Sequence, residues 1–392
     1  MRVQQRVDRS VGAGDLLREE IAAWLADRSA DRALGRFAHH FGVLDQVLNG
    51  MLRRVRDSLL AAARLRSSQE VYARCAALDR SLVTVKRLFE WYAPKYDQRA
   101  DPVRGPALAA ADEVVRSCWW QPFEALGRRP PAGPLPYLDP LFDASATPRR
   151  SVPEDLRAPV DSVVAELIAE LPIPVISLPA WAVREAWWLV VAAHETGHLV
   201  MRDLTPTLAR DVKIAVGEWS DWADEIFADV YSALMVGPAA AWMVEELQHG
   251  VTFSSPYYPP PATRLALLAD CHDRGESGET AVSKVVSSIL SLDVDGHPLA
   301  EICQGLDERL AAVWAASLAT HAPTITKIRS RASARTMIAA GVAGHAADPR
   351  RTHENLIAYL SRCGPPGTMG SAPAAPEITA LTDRLAARVV PP

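Results

Sequence analysis

Apolar residues recur at every third or fourth position over most of this chain, which is the spacing of amphipathic helices. The longest such pattern covers residues 12 to about 126, where two successive stripes are separated by Ser67-Ser68, a predicted turn and N-cap. Their members are Leu34, Phe37, Phe41, Leu44, Val47, Leu48, Met51, Leu52 and Val55, then Val71, Leu78, Leu82, Val85, Leu88 and Phe89. We therefore predict a helical hairpin or small bundle over residues 1–128, suited to packing or to binding a partner.

The pattern changes after this region. Residues 129–154 are rich in proline and glycine and predict a linker, or an ordered loop that wraps the next unit. The run Pro172–Pro179 is short, β-branched and bounded by prolines. It favours an edge strand, although a plain extended connector fits as well. Helical spacing then predicts helices over about 181–202 and 221–235, and it continues beyond residue 260 without a strand signal. The fold class is mainly α with a minor β part.

Composition narrows the function classes. The 392 residues are 49% hydrophobic and 23% charged, with a formal net charge of −5. Such a chain can bury a core, and its acidic balance argues against nucleic acid as a main partner. The first residues contain no apolar core of a secretory signal, and the longest uncharged apolar run, Ala186–Ala193, is too short for a membrane span. The five scattered cysteines form no C-x-x-C pair. We expect reduced thiols and a cytoplasmic protein.

The strongest chemical signal is H-E-T-G-H at residues 194–198, directly after that apolar run. Residues four apart share a helix face, so His194 and His198 can offer two imidazole nitrogens to one ion. Glu195 is then placed to act as general base on a water molecule at the ion, which is the core of a zinc hydrolase. A buried helix with hydrogen-bonded histidines is the alternative, but burying these groups without a function is costly.

A zinc hydrolase needs a third protein ligand, and Glu225 is the candidate. It begins the segment Glu225-Ile226-Phe227-Ala228-Asp229, in which Glu225 and Asp229 share a helix face. Glu225 can bind the metal while Asp229 accepts a hydrogen bond from the far nitrogen of a ligating histidine. Alternatively, these residues belong to an exposed acidic face together with Asp221 and Asp224.

H-E-T-G-H followed by E-I-F-A-D resembles the gluzincin metallopeptidases, and the form E-x-x-A-D is similar to their CAAX-prenyl-protease and HtpX-like branch. That branch carries a histidine six residues before an arginine, and Tyr258 precedes Arg264 by the same interval here. The resemblance covers about residues 175–275. It implies a zincin-like core with a small edge sheet over 155–275, flanked by helical regions over 1–128 and 276–392.

The resemblance also implies roles for individual residues. Zn²⁺ would be bound by His194, His198 and Glu225. Glu195 would be the base, Asp229 would orient a ligand, and Arg264 would support the site. The chain departs from the family where Tyr258 replaces the histidine expected to steady the oxyanion.

A phenol can donate a hydrogen bond to an oxyanion, so the role can pass to Tyr258. Alternatively Tyr257 or His249 fills it, or the site is weakened. The family's membrane spans are also missing, so prenylated substrates do not follow.

Together these features predict a zinc metalloendopeptidase that cleaves a protein or peptide by Glu195-assisted attack of a zinc-bound water. Zinc and either Tyr258 or Arg264 would share the developing negative charge. The helical flanks could gate the site or dock a regulatory partner. The alternative function is a zinc-binding sensor or interaction protein whose peptidase-like domain is weak or inactive. A third reading, a purely structural helical protein, requires all three motifs to have arisen independently in this order.

Overall fold

A computed structural model describes residues 2–140, 144–156, 162–249, 258–272 and 280–390. It is 73% helix and 5% strand, which confirms the predicted mainly α class with a minor β part. Among these residues, every helix falls short of the length and apolarity needed to cross a membrane.

The helices are distributed over the whole chain. Before the metal motif they are α1 (Arg2–Ala30), α2 (Ala38–Ala62), α3 (Ser68–Asp97), α4 (Arg104–Ala125) and α5 (Ser162–Glu170). Through and after the motif they are α6 (Val191–Asp203), α7 (Leu208–Val216), α8 (Ala223–Val236), α9 (Pro238–Gln248), α10 (Pro261–His272), α11 (Ala281–Leu290), α12 (Leu299–Ile302), α13 (Glu308–Leu318), α14 (Ser333–His345), α15 (Pro349–Leu360) and α16 (Ala375–Val389). The strands are β1 (Leu135–Asp139), β2 (Ser145–Thr147), β3 (Val175–Pro179), β4 (Asp293–Val294) and β5 (His297–Pro298).

The chain folds as two units. The first comprises residues 1–97, 149–173 and 370–392, and therefore contains α1, α2, α3, α5 and α16. The apolar stripe of α2 is buried in its core, as the spacing predicts. The predicted turn at Ser67 is also confirmed. Its hydroxyl accepts a hydrogen bond from the Glu70 N–H at 3.5 Å, while the Glu70 carboxylate accepts one from the Ser67 N–H at 3.3 Å. This reciprocal pair is a capping box that starts α3.

The second unit comprises residues 98–148 and 174–369 and contains a three-stranded sheet in the order β1-β3-β2. β3 pairs with β1 in parallel and with β2 antiparallel. The edge position predicted for β3 is therefore wrong. All five of its residues are buried, as expected of a strand that is covered on both faces and paired on both sides.

Both neighbours of β3 come from the segment predicted as a linker or wrapping loop. β1 and β2 lie within residues 129–154, where long-range pairing with β3 turns short stretches between prolines into strands. The predicted divisions after residues 128, 154 and 275 do not coincide with the two units. α4 lies in the same unit as the sheet, whereas α16 joins the unit of α1 to α3. Contacts between residues far apart in the chain decide this grouping.

Two local features also differ from expectation. The helix that carries the metal motif begins at Val191 instead of about residue 181, because residues 180–183 and 186–190 form 3-10 turns separated by an extended Glu185. Beyond residue 260, β4 and β5 form a small hairpin that was not predicted. Its turn residues Asp295 and Gly296 both have positive φ, of 53° and 85°. Asp-Gly is a recognised signal for such a turn, so the sequence did contain the information.

Candidate metal centre

The site is built where α6 and α8 pack closely. Gly197 makes this possible: a Cβ added there would lie 3.0 Å from Ala228 Cα and 3.1 Å from the Tyr231 ring. Tyr231 is itself buried and donates a hydrogen bond to the Cys118 carbonyl at 2.7 Å. The close approach brings the histidine face of α6 against the acidic face of α8.

Three side chains converge at this contact. His194 Nε2 lies 3.3 Å from Glu225 Oε2, and His198 Nε2 lies 3.6 Å from Glu225 Oε1. One ligand atom from each of the three residues lies within 4.8 Å of the others. Ligand atoms about 2.1 Å from a tetrahedral ion would be about 3.4 Å apart. The spacing therefore suits a single ion.

The chemistry of the donor set agrees with that spacing. Glu225 Oε2 is buried and forms no hydrogen bond, although His194 Nε2 lies 3.3 Å away. A buried polar atom of this kind is costly unless something compensates it. Two imidazoles and a carboxylate around such an atom fit a divalent cation, so the cluster can hold a metal.

Asp229 lies behind the cluster, close to the far ring nitrogen of His194. Its side chain is fully buried, and Oδ1 lies 3.1 Å from His194 Nδ1. Arg264 donates to both carboxylate oxygens, from Nε to Oδ2 and from Nη2 to Oδ1, each at 2.7 Å. This bidentate pair fixes the carboxylate, which in turn directs Nε2 of His194 towards Glu225.

Burial and the neighbouring charges shift the pKa values of the residues in the cluster. Burial opposes protonation of His194, but the carboxylates of Asp229 and Glu225 outweigh it and raise the pKa of His194 to about 10. Burial also opposes ionisation of Asp229, but Arg264 outweighs it and holds the pKa of Asp229 at about 2. Burial and the neighbouring His194 lower the pKa of His198 to about 4. An incoming metal ion would therefore replace a proton on His194.

Glu195 lies beside the cluster and is also buried. Burial raises its pKa to about 7, while the His194 charge and a hydrogen bond from the backbone N–H of Ala146 act in the opposite direction. Ala146 belongs to β2, which is an edge strand of the sheet. The expected base therefore stands next to a sheet edge, a relationship that no feature of the linker sequence indicates.

Of the residues considered for oxyanion stabilisation, Tyr258 is 40% exposed and its ring centre lies 5.4 Å from Arg264 Cζ. The structure thus joins Tyr258 to the Arg264–Asp229 pair. His249 follows α9 and is exposed. Tyr257 lies outside the described residues. The sequence reasoning did not identify Gly197 or Ala146 as residues that shape the site.

No protein-family model, curated protein or solved structure gives a significant match to this chain. The function is therefore inferred from the geometry of the cluster and from the motifs that form it.

Proposed function

We propose that this chain is a zinc-dependent metallopeptidase. The observation that carries the proposal is the convergence of His194, His198 and Glu225 from two helices, with the buried Glu195 carboxylate beside them. Two histidines and one glutamate form the ligand set of a catalytic zinc site, which leaves a position open for water or substrate. The zincin-like character of the core is part of the same proposal.

Each residue has a defined task in this mechanism. His194, His198 and Glu225 would hold the ion, which when bound supplies Lewis acidity for carbonyl polarisation and water activation. Glu195 removes a proton from the attacking water and returns it to the leaving amine. Asp229 keeps the Nδ1 proton on His194, so that Nε2 presents its lone pair, and Arg264 keeps Asp229 ionised and in place.

The substrate is expected to be an extended polypeptide. β2 is an edge strand, and its residue Ala146 contacts Glu195 through a backbone N–H. A peptide that adds to this edge as a further strand would pass the base. Tyr258 would donate a hydrogen bond to the developing oxyanion, in place of a histidine.

The first test is elemental analysis of purified full-length protein. We expect about one zinc per chain, sharply reduced in Glu225→Ala and in His194→Ala because each removes a ligand. Glu301→Ala, an exposed glutamate on α12, is the matched control and should retain the metal. A wild-type protein that takes up no metal when zinc is supplied at neutral pH would overturn the proposal.

Hydrolysis is tested separately with Glu195→Gln. This variant keeps the ligands but lacks a base, so it should bind zinc as wild type does and lose peptide cleavage by about 10² or more. Cleavage is measured with a mixture of unstructured peptides, by mass spectrometry. If wild type binds zinc but cleaves no peptide, the alternative function gains support. That alternative is a zinc-binding regulatory protein. The helical unit of α1, α2, α3, α5 and α16, which contains none of the three candidate ligands, would then be the part that binds a partner.

A further inference from the structure

We propose that His353 of α15 is a pH-sensitive positioning residue that fixes the connection between β3 and α6. This connection, residues 180–190, consists of the 3-10 turns Ala180–Val183 and Ala186–Val190 with an extended residue between them. Nδ1 of His353 accepts a hydrogen bond from the backbone N–H of Ala186 at 3.0 Å. Both partners lie in the unit of the metal centre. Neither is a candidate metal ligand, so the proposal is independent of the proposed hydrolysis.

The Ala186 N–H depends on an acceptor outside its own turn. Ala186 is the first residue of the second turn, and the first N–H groups of a helical segment have no acceptor within it. Glu185 occupies the N-cap position, but its side chain makes no capping hydrogen bond and instead accepts one from Trp188 Nε1 at 3.3 Å. Ala186 is buried, so without His353 a backbone N–H would be left unsatisfied away from water. His353 therefore does the work of an N-cap side chain from a distant part of the chain.

The helix that carries His353 is held in place by other contacts. Thr352 donates its hydroxyl hydrogen to the Gly344 carbonyl of α14 at 3.1 Å, and Asn355 Nδ2 donates to the Leu318 carbonyl at 2.8 Å. The two residues between the 3-10 turns are exposed. The imidazole therefore sits on a fixed support, and the connection is the part that can move when the hydrogen bond is lost.

The connection lies between the two elements that surround the expected base. β3 precedes it, and β3 pairs with β2, whose Ala146 N–H forms a hydrogen bond with Glu195 of α6. The second turn continues directly into α6, because the Val191 N–H donates to carbonyls within that turn. A displacement of the second turn would therefore reach the start of the helix that carries His194 and His198.

The hydrogen bond requires a neutral His353. In the imidazolium both ring nitrogens are donors, so a proton on Nδ1 would face the Ala186 N–H and remove the acceptor. Burial lowers the pKa of His353 from 6.5 and is the largest effect. The Glu354 carboxylate, the Val183 carbonyl and the Glu185 carboxylate act in the opposite direction. Glu354 and Glu185 are the charged groups that act on the ring, among the described residues of α15 and of the elements packed against it, which are α4, α13, α14 and the second turn.

The direction of the pH effect follows from this shift. While the hydrogen bond is intact, the pKa of His353 is below 6.5, and when the connection is released it returns towards 6.5. The released form therefore binds the proton more tightly, and its population rises as the pH falls below about 6.5. We expect the connection to be held at neutral pH and to open locally in acid.

Hydrogen–deuterium exchange of the full-length protein, followed by mass spectrometry, measures this opening. Peptides covering residues 181–190 are compared at pH 7.5 and pH 5.5 after correction for the intrinsic exchange rate. In wild type the corrected rate should rise by about five- to ten-fold, because one pH unit below 6.5 the released imidazole is mostly protonated. Peptides from α14 serve as the reference and should change little. A wild-type rate that is the same at both pH values would overturn the proposal.

Variants of His353 separate proton binding from packing. His353→Asn keeps an acceptor near the position of Nδ1 but cannot titrate, so residues 181–190 should stay protected at both pH values. His353→Leu removes the acceptor, so exchange should already be fast at pH 7.5. His297→Asn, an exposed change in the β4–β5 hairpin, is the matched control and should keep the wild-type pH profile.

Circular dichroism identifies a variant that fails to fold. If His353→Leu does so, His353→Asn still decides the question, since it keeps the hydrogen bond and changes only the response to pH. A wild-type pH profile in folded His353→Asn would show that another group controls the connection and would overturn the role of His353.

Discussion

Gly197 of α6 lies directly against Ala228 of α8, with a distance of 3.0 Å from an added Cβ to Ala228 Cα. This contact sets the separation between the helix that carries His194 and the helix that carries Glu225. The glycine inside the H-E-T-G-H motif therefore allows the close approach of the two helices, and a side chain at this position would require them to shift by a few tenths of an ångström.

We predict that Gly197→Ala weakens zinc binding by about ten-fold or more and lowers the free energy of unfolding by about 1–3 kcal/mol through overpacking. Zinc affinity is measured by competition with a chelator and stability by urea unfolding. Gly12→Ala is the matched control, because Gly12 lies on α1 with open space around it. It should leave zinc affinity unchanged and stabilise the protein slightly. Unaltered zinc affinity in Gly197→Ala would show that the helix spacing is not critical.

A second prediction concerns Asp229. The negative charge of Asp229 orients His194 and also compensates the positive charge of Arg264. Asp229→Asn removes this charge, so zinc affinity should fall by about 10- to 100-fold. The buried guanidinium loses its ion-pair partner, which should cost about 3–5 kcal/mol of folding free energy. Asp221→Asn, an exposed change just before the same helix, should have neither effect.

Adding Arg264→Met to Asp229→Asn separates the two consequences. The double variant no longer buries an unpaired charge, so we expect its stability to recover towards wild type while zinc binding stays weak. Recovery of zinc binding together with stability would mean that Asp229 contributes only through folding and does not orient His194.

Tyr258 gives a prediction that rests on the proposed hydrolysis. Tyr258→Phe keeps the ring that lies over Arg264 and removes only the hydroxyl. If the hydroxyl donates to the oxyanion, kcat should fall by about 10²-fold while zinc content and KM change little. Tyr72→Phe, an exposed position on α3, is the control. An unchanged kcat would exclude the oxyanion role of this phenol.

His39, in the unit that contains α1, α2 and α3, makes the stability of the protein depend on pH. Both ring nitrogens of His39 are buried without hydrogen-bond partners, and burial together with the Arg149 charge lowers its pKa from 6.5 to about 4. Between these two pH values the unfolded chain takes up a proton at His39 that the folded chain does not. The part of the folding free energy that depends on neutral His39 is therefore fully present above about pH 6.5, and it decreases as the pH falls.

Because of His39, we expect the free energy of unfolding to fall by about 2 kcal/mol between pH 7.5 and pH 5. Urea unfolding at the two pH values measures it. His39→Leu should show a smaller loss than wild type, whereas His297→Asn, an exposed change in the β4–β5 hairpin, should show the wild-type loss. An equal pH dependence in His39→Leu and wild type would contradict the assignment.

Local features of the chain were accessible from the sequence because they depend on neighbours three or four residues apart. The apolar spacing correctly indicated the helices before residue 126 and the helix expected over about 221–235, which is α8 in the structure. The pairings of His194 with His198 and of Glu225 with Asp229 follow from helical periodicity alone. The structure then brings these pairs together as the motifs suggested.

Tertiary structure decided what depends on residues distant in sequence. Strands β1 and β2 form because each pairs with one side of β3. A segment whose sequence resembles a linker therefore provides the sheet edge beside Glu195. The same holds for the grouping of α16 with α1, α2 and α3. Short segments have little intrinsic preference, and their conformation is set by the hydrogen bonds and burial available to them. The sequence by itself determined the candidate ligands and their helices, whereas long-range packing at Gly197 and around β3 determined how they meet.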